Sequence, residues 1–166
     1  MRWSEVTVSP QLLTALVEGC WEFGKLMLGK AGEFYPFAET ADHGGKRTML
    51  GGHTGEEHPD PRQIYALLQE GIAAGIAEGT VAAAALAVNV NIPAEYQPQF
   101  PDGIRVHVEA PGFSRFIYLP YRIEPRGVRD RLLRRPLRVN YAEPFSVETD
   151  SVFFARWGST PEGRPS

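Results

Sequence analysis

The chain has 166 residues, 43% of them hydrophobic and 22% charged, and a formal net charge of −3. This length fits one folded domain, and the composition is unlike that of a disordered chain. The negative charge argues against a protein that coats nucleic acid with its whole surface. The single cysteine, Cys20, excludes an intrachain disulfide and a cysteine-rich zinc site. It favours a reducing compartment, so we expect a cytoplasmic protein.

Residues 71–92 are largely apolar, but they do not predict a membrane span. Glu78 lies within them and Gly79-Thr80 divides them. A spanning helix needs about 20 apolar residues with few or no charges. A helix followed by a strand explains the run better, so no membrane contact is expected. The first residues also lack the apolar core of a signal peptide.

The first half of the chain predicts a helix, a hairpin and a second helix. Ser9-Pro10 are an N-cap and a first helical residue, and apolar side chains recur at helical spacing as far as Leu28. Residues 33–38 predict a strand, which Pro36 should confine to a sheet edge or a bulge. Residues 46–51 predict the return strand of a hairpin.

The second helix should begin at Asp60-Pro61, where Asp60 is a strong N-cap, and run to about Glu78. Residues 80–92, 104–110 and 113–123 then predict a three-stranded antiparallel meander. In the middle strand, apolar and polar residues alternate, which predicts burial of one face only and places His107 on the outward face. Residues 137–141 and 146–154 predict further short strands.

These elements predict an α+β domain over residues 1–157. We expect one antiparallel sheet of about five strands, with two helices on one face and the C-terminal segment against the sheet. The polar, Pro/Gly-rich residues 158–166 predict a flexible tail. Aromatic residues must point to both faces of the sheet, so the second face should form an association surface unless the C-terminal segment covers it.

The candidate site loop lies between the hairpin and the second helix and holds His53, Glu56, Glu57 and His58. All four are competent metal ligands or acid/base groups. However, helical zinc signatures place two histidines four residues apart, whereas these two are five apart with Gly55 between them. A polar loop with acidic residues before a helix N-terminus accounts for them better. We therefore predict no metal ligand, catalytic residue or cofactor.

An arginine-rich segment spans residues 122–138, with seven arginines against two carboxylates. It carries a net charge of +5, so the rest of the chain carries −8. No aromatic side chain interleaves the arginines, which disfavours a platform for single-stranded nucleic acid. We predict contact with an anion or a partner through Arg129, Arg131, Arg134 and Arg135.

Three stretches resemble a family of small bacterial proteins of uncharacterised role: residues 32–38, 57–60 and 116–122, read as Gly-Glu-Phe-Tyr-Pro-Phe-Ala, Glu-His-Pro-Asp and Phe-Ile-Tyr-Leu-Pro-Tyr-Arg. The resemblance covers roughly residues 10–154 and implies a bacterial, single-domain protein without implying an activity. The order of elements is also loosely similar to roadblock/profilin-like domains, a likeness of topology alone.

The sequence favours a non-catalytic protein-interaction, regulatory or immunity-type module that self-associates, as a homodimer, or binds another protein. A small-molecule ligand is left open. The alternative is a small metal-binding protein or enzyme that uses the loop from His53 to Asp60. Enzymatic activity is disfavoured because no nucleophile motif or dinucleotide fingerprint accompanies the loop.

Overall fold

The computed structural model of the protein describes residues 8–52 and 55–155. The predicted flexible tail, residues 158–166, lies outside this part of the chain. The elements in chain order are α1 (Pro10–Ala31), β1 (Phe37–Ala41), β2 (Arg47–Gly51), α2 (Pro61–Ala77), β3 (Ala83–Asn91), a 3-10 turn (Ala94–Tyr96), β4 (Asp102–Ala110), β5 (Phe113–Ile123), α3 (Val128–Leu132), β6 (Val139–Tyr141) and β7 (Phe145–Glu148).

All of these strands belong to one antiparallel sheet in the order β2-β1-β3-β4-β5-β6, with β7 also paired to β5. The α+β class and the β3–β4–β5 meander are confirmed. The expected number of about five strands is wrong, because the described part of the sheet contains seven. The two additional strands are β6 and β7, which lie one after the other along the outer edge of β5.

The central strands of the sheet are buried on both faces, because the two main helices lie on opposite sides. Ala83, Ala85 and Ala87 of β3 pack in one core with Leu16, Cys20 and Leu28 of α1. The alternate residues Ala84, Leu86 and Val88 pack in a second core with Ile64, Leu68 and Ile72 of α2. Successive strand side chains point to opposite faces, so the two cores are separate layers. The prediction of two helices on one face is therefore wrong.

Two further strand predictions are also wrong. β4 is buried on both faces, since His107 and Glu109 are 1% and 0% exposed. β1 lies between β2 and β3 and is not an edge strand. Pro36 does not interrupt it, because the strand begins one residue later at Phe37.

The predicted helix caps are confirmed. Ser9 Oγ accepts a hydrogen bond from the Leu12 amide, and Pro10 is the first helical residue. α1 ends at Gly32, whose φ of 77° is a left-handed conformation that glycine adopts without strain. Asp60 caps α2 through the amide of Arg62. No helix among the described residues is long and apolar enough to cross a membrane.

The alanines of β3 that face α1 allow the helix to approach the sheet closely, and this predicts the effect of enlarging one of them. Ala85 is fully buried, and its carbonyl lies beside the Cys20 thiol of α1. Ala85→Leu should lower the free energy of unfolding by about 1–3 kcal/mol, because the extra atoms overpack the layer. Urea unfolding measures this change. Ala73→Leu, the same change at an exposed position of α2, should stay within about 0.5 kcal/mol of wild type. Equal effects would contradict the two-layer packing.

Candidate functional site

The loop before α2 does not form a metal centre in the described residues. Glu57 and His58 are both exposed, whereas Asp60 serves as the N-cap of α2. The hydrogen bond from the Arg62 backbone amide lowers the pKa of Asp60. His53 lies outside the described residues, so its place relative to Glu56 and His58 is not part of the structure. Among the residues that are described, no three histidine, cysteine, aspartate or glutamate side chains form a group able to hold a metal ion.

The arginine-rich segment presents an unusual combination of charge and apolar surface at α3. Leu132, Val128 and Leu133 are 78%, 75% and 55% exposed, the three highest values among the exposed large hydrophobic residues of the described chain. Val128 and Leu132 are four residues apart and share one face of the helix. Arg129 and Arg131 lie between them in sequence and are exposed as well. We call these five side chains the α3 surface.

Beside the α3 surface lies a basic cleft of about 300 Å³, lined by Lys30, Arg126, Arg131, Arg134, Arg135 and Pro136. Three of the four arginines predicted as contacts therefore line one opening, and Arg129 stands outside it on α3. Two of the lining arginines have structural roles. Arg126 donates to the carbonyl oxygens of Asp130 and Arg135, and Arg135 forms an ion pair with Asp130 at 3.4 Å.

Lys30, Arg131 and Arg134 form no ion pair with any described carboxylate. Among the lining cations, Arg135 alone forms an ion pair with a described carboxylate. The segment is held against the end of α1 by a hydrogen bond of 2.8 Å from the Leu137 amide to the Gly29 carbonyl. This bond and the internal contacts of Arg126 position the unpaired cations without neutralising them.

A buried polar cluster on the α2 side of the sheet was missed by sequence reasoning. The Glu109 carboxylate accepts hydrogen bonds from the Ser151 hydroxyl and from the backbone amides of Val152, Phe153 and Phe154. His107 Nε2 lies 2.9 Å from Glu109 Oε2. Burial raises the pKa of Glu109, but the hydrogen bonds from His107, Ser151 and the backbone outweigh it and hold the pKa at about 2.

The cluster contains Ser, His and Glu, yet its geometry does not fit nucleophilic catalysis. Ser114 Oγ and Glu109 Oε2 both lie 2.9 Å from the same ring nitrogen, Nε2 of His107. A catalytic triad needs the hydroxyl and the carboxylate on opposite ring nitrogens, so that the proton passes through the imidazole. The other nitrogen, Nδ1, is buried and has no hydrogen-bond partner in the part of the chain that the structure describes. The cluster therefore holds the C-terminal segment and is not arranged for proton relay.

The signal for this cluster was present but ambiguous. His107 and Glu109 alternate with Val106 and Val108, as polar residues do on a strand with one solvated face. What buries them is the segment 151–154, more than forty residues away in sequence, and no local pattern reports such a contact. Phe153 and Phe154 were the available sign, because adjacent aromatic residues near a polar tail favour docking onto a core.

Comparison with known proteins does not place the chain in a family. No family model, curated protein or solved structure matches it. The resemblance to small bacterial proteins and the loose likeness to roadblock/profilin-like topology therefore stay predictions, and the function must be inferred from the surfaces described above.

The Glu109 cluster predicts a specific pH dependence of stability. The folded pKa of about 2 is lower than the ordinary value of 4.5, so the ionised carboxylate stabilises the fold at pH values above 4.5. That contribution is lost as the pH falls from 4.5 towards about 2. Glu109→Gln should lower the free energy of unfolding at pH 7 by about 2–4 kcal/mol, because the amide group opposes backbone donors.

Urea unfolding of wild type and Glu109→Gln across pH 2 to 7 measures this difference, which should shrink as the pH is lowered. Glu148→Gln is the matched control. Its side chain is 83% exposed and pairs with Arg115 at the surface, so the change should cost at most about 1 kcal/mol. A difference between wild type and Glu109→Gln that is constant across the pH range would contradict the assigned role.

Proposed function

We propose that this protein is a non-catalytic interaction module that binds a protein partner through the α3 surface and the adjoining basic cleft. The observation that carries the proposal is that the three most exposed large hydrophobic residues in the described chain lie within six residues of one another, among arginines. Burying one leucine side chain contributes about 1.5–3 kcal/mol, so three together provide a substantial apolar anchor. Apolar anchors flanked by arginine are typical of interface hot spots.

The chemistry of the surface favours a protein over a polyanion or a membrane. Nucleic-acid surfaces pair cations with aromatic stacking side chains, whereas this one pairs them with valine and leucine. Stable attachment to a lipid surface requires a larger apolar face than a helix of five residues offers. All the cations of the segment 122–138 are arginines, whose planar guanidinium groups favour paired hydrogen bonds to carboxylates. The partner surface should therefore combine an apolar pocket with aspartate or glutamate at its rim.

The same charges bear on self-association. A two-fold dimer through α3 would oppose two segments that each carry +5, which is unfavourable unless the contacts are offset. We therefore propose a heterologous acidic partner for this surface. We place the complex in the cytoplasm, where a single cysteine stays reduced; burial raises the pKa of the Cys20 thiol, which keeps it unreactive.

A photo-crosslinking amino acid at position 132 tests the proposal. It should give a discrete adduct in cells, whereas the same amino acid at position 70, an exposed site on α2, should not. The adduct is identified by mass spectrometry and the purified partner is titrated against the protein. Leu132→Ser should weaken binding at least about 10-fold, because it removes an apolar side chain that is buried in the proposed complex. Arg131→Glu with Arg134→Glu should weaken it further and reduce its dependence on salt.

Leu67→Ser is the matched control for Leu132→Ser, because Leu67 is an exposed leucine on α2, at 42%, and should leave binding unchanged. Sedimentation velocity over a range of concentrations shows whether the partner is a second copy of the chain. The proposal fails if position 132 yields no adduct, or if the partner binds Leu132→Ser and the charge-reversal variant as tightly as wild type.

A further inference from the structure

A second cleft surrounds the end of β3. It has a volume of about 690 Å³ and is lined mainly by apolar and aromatic side chains from the end of α1, the segment before β1, the start of α2 and the strands β3 and β4. Such a volume is typical of small-molecule sites. The cleft exists because β1 pairs with β3 only as far as Ala87. The backbone edge of Val88 to Asn91 that faces away from β4 has no strand of the described chain beside it.

One wall of the cleft is the half-buried side chain of Arg105 in β4. Its guanidinium carbon lies 4.3 Å from the ring centre of Phe116 and 6.0 Å from that of Tyr65, and Nη2 is 3.5 Å from the Tyr65 hydroxyl. Its Nε is buried and has no hydrogen-bond partner among the described residues. Arg105 forms no ion pair with any carboxylate in the described part of the chain.

The buried carboxylates of Glu39 and Glu109 differ from Arg105, because each has partners that compensate its charge. Glu39 pairs with Arg47 at 3.0 Å, and Glu109 is held by His107 and backbone amides. A half-buried charge that lacks a counter-charge costs free energy, and native structures generally compensate it with a partner. Because Arg105 lines the cleft and forms no ion pair within the described chain, we infer that a ligand would supply the missing counter-charge.

Asn89 is a second polar residue of the lining that can donate hydrogen bonds to an anion. Asn89 Oδ1 already accepts a hydrogen bond from the Tyr121 hydroxyl at 2.5 Å, and the Asn89 amide group has N–H donors to offer a ligand. Arg105 offers donors alone. Glu33 stands in the lining and is exposed, which opposes a polyanion such as a nucleotide.

We propose that this cleft binds a small organic monocarboxylate with an apolar or aromatic body. The carboxylate pairs with Arg105, where a guanidinium can donate two parallel hydrogen bonds, and the body packs on Phe34, Pro36 and Val88. The site is independent of the proposed partner surface, since no residue lines both clefts.

The test is an NMR titration of the protein with 3-phenylpropionate as the probe. Saturable shifts are expected for the Arg105 side-chain Nε–H and for the amides of residues 88–91. The neutral isostere 3-phenylpropanamide should bind at least about 10-fold more weakly, because it leaves Arg105 unpaired. Phenyl phosphate, which carries more negative charge next to Glu33, should also bind more weakly. Tighter binding of phenyl phosphate would overturn the assignment to carboxylates.

Three variants locate the site. Arg105→Gln should reduce affinity at least about 10-fold. Arg62→Gln removes an exposed arginine of the same lining that is already paired with Asp60, and should change affinity less than about 3-fold. Ala31→Phe fills the mouth of the cleft from an exposed position of α1 without touching Arg105. It should abolish binding even if Arg105→Gln does not fold.

Arg134→Gln, in the α3 basic cleft, should leave binding unchanged and so separates the two clefts. The proposal is overturned if 3-phenylpropionate gives no saturable shifts at millimolar concentrations, if the amide binds equally well, or if Ala31→Phe binds like wild type.

Discussion

The buried carboxylate of Glu109 is the contact on which the second layer of this protein depends. Its oxygens receive hydrogen bonds from one hydroxyl and three consecutive backbone amides, all between residues 151 and 154. Burying an ionised carboxylate is costly unless its oxygens are fully hydrogen-bonded. The segment from Ser151 to Phe154 supplies those donors only when it is folded against the sheet, so ordering of the segment and burial of Glu109 depend on each other.

This coupling determines which part of the surface stays open. Phe153 and Phe154 complete the core that contains α2 and the even-numbered residues of β3. β7 pairs with the outer edge of β5, where Phe145 stacks on Tyr118 at 5.1 Å. The sheet face that the aromatic pattern marked as an association surface is thus occupied by the chain itself. The most exposed large hydrophobic side chains of the described chain consequently lie at α3.

Elements with strong local signals could be predicted from the sequence, and contacts between distant segments could not. The helix starts at Ser9-Pro10 and Asp60-Pro61 depend on capping chemistry within three residues, and both are confirmed. The placement of the helices on opposite faces depends on whether β3 is buried on one face or on both. Its alanine-rich sequence does not decide this, because alanine fits either environment. Likewise, Arg105 and His107 share the alternation of a solvated strand face, and only the tertiary structure shows that both are withdrawn from water. The cluster of exposed arginines was recognisable because its signal is composition, which does not depend on packing.

The cations of this protein therefore belong to two physical classes. The arginines of the α3 surface are hydrated, and their charge acts mainly through long-range attraction, which governs the rate of association and its dependence on salt. Arg105 has already lost part of its hydration on folding, between Tyr65 and Phe116. A counter-charge that reaches it needs to displace little water from the guanidinium, so the pair contributes mainly to the lifetime of a complex. A surface that attracts a large partner and a cleft that retains a small anion can thus coexist on one domain. Folding leaves the arginines of the α3 surface exposed and partly buries Arg105, and the sheet separates the two.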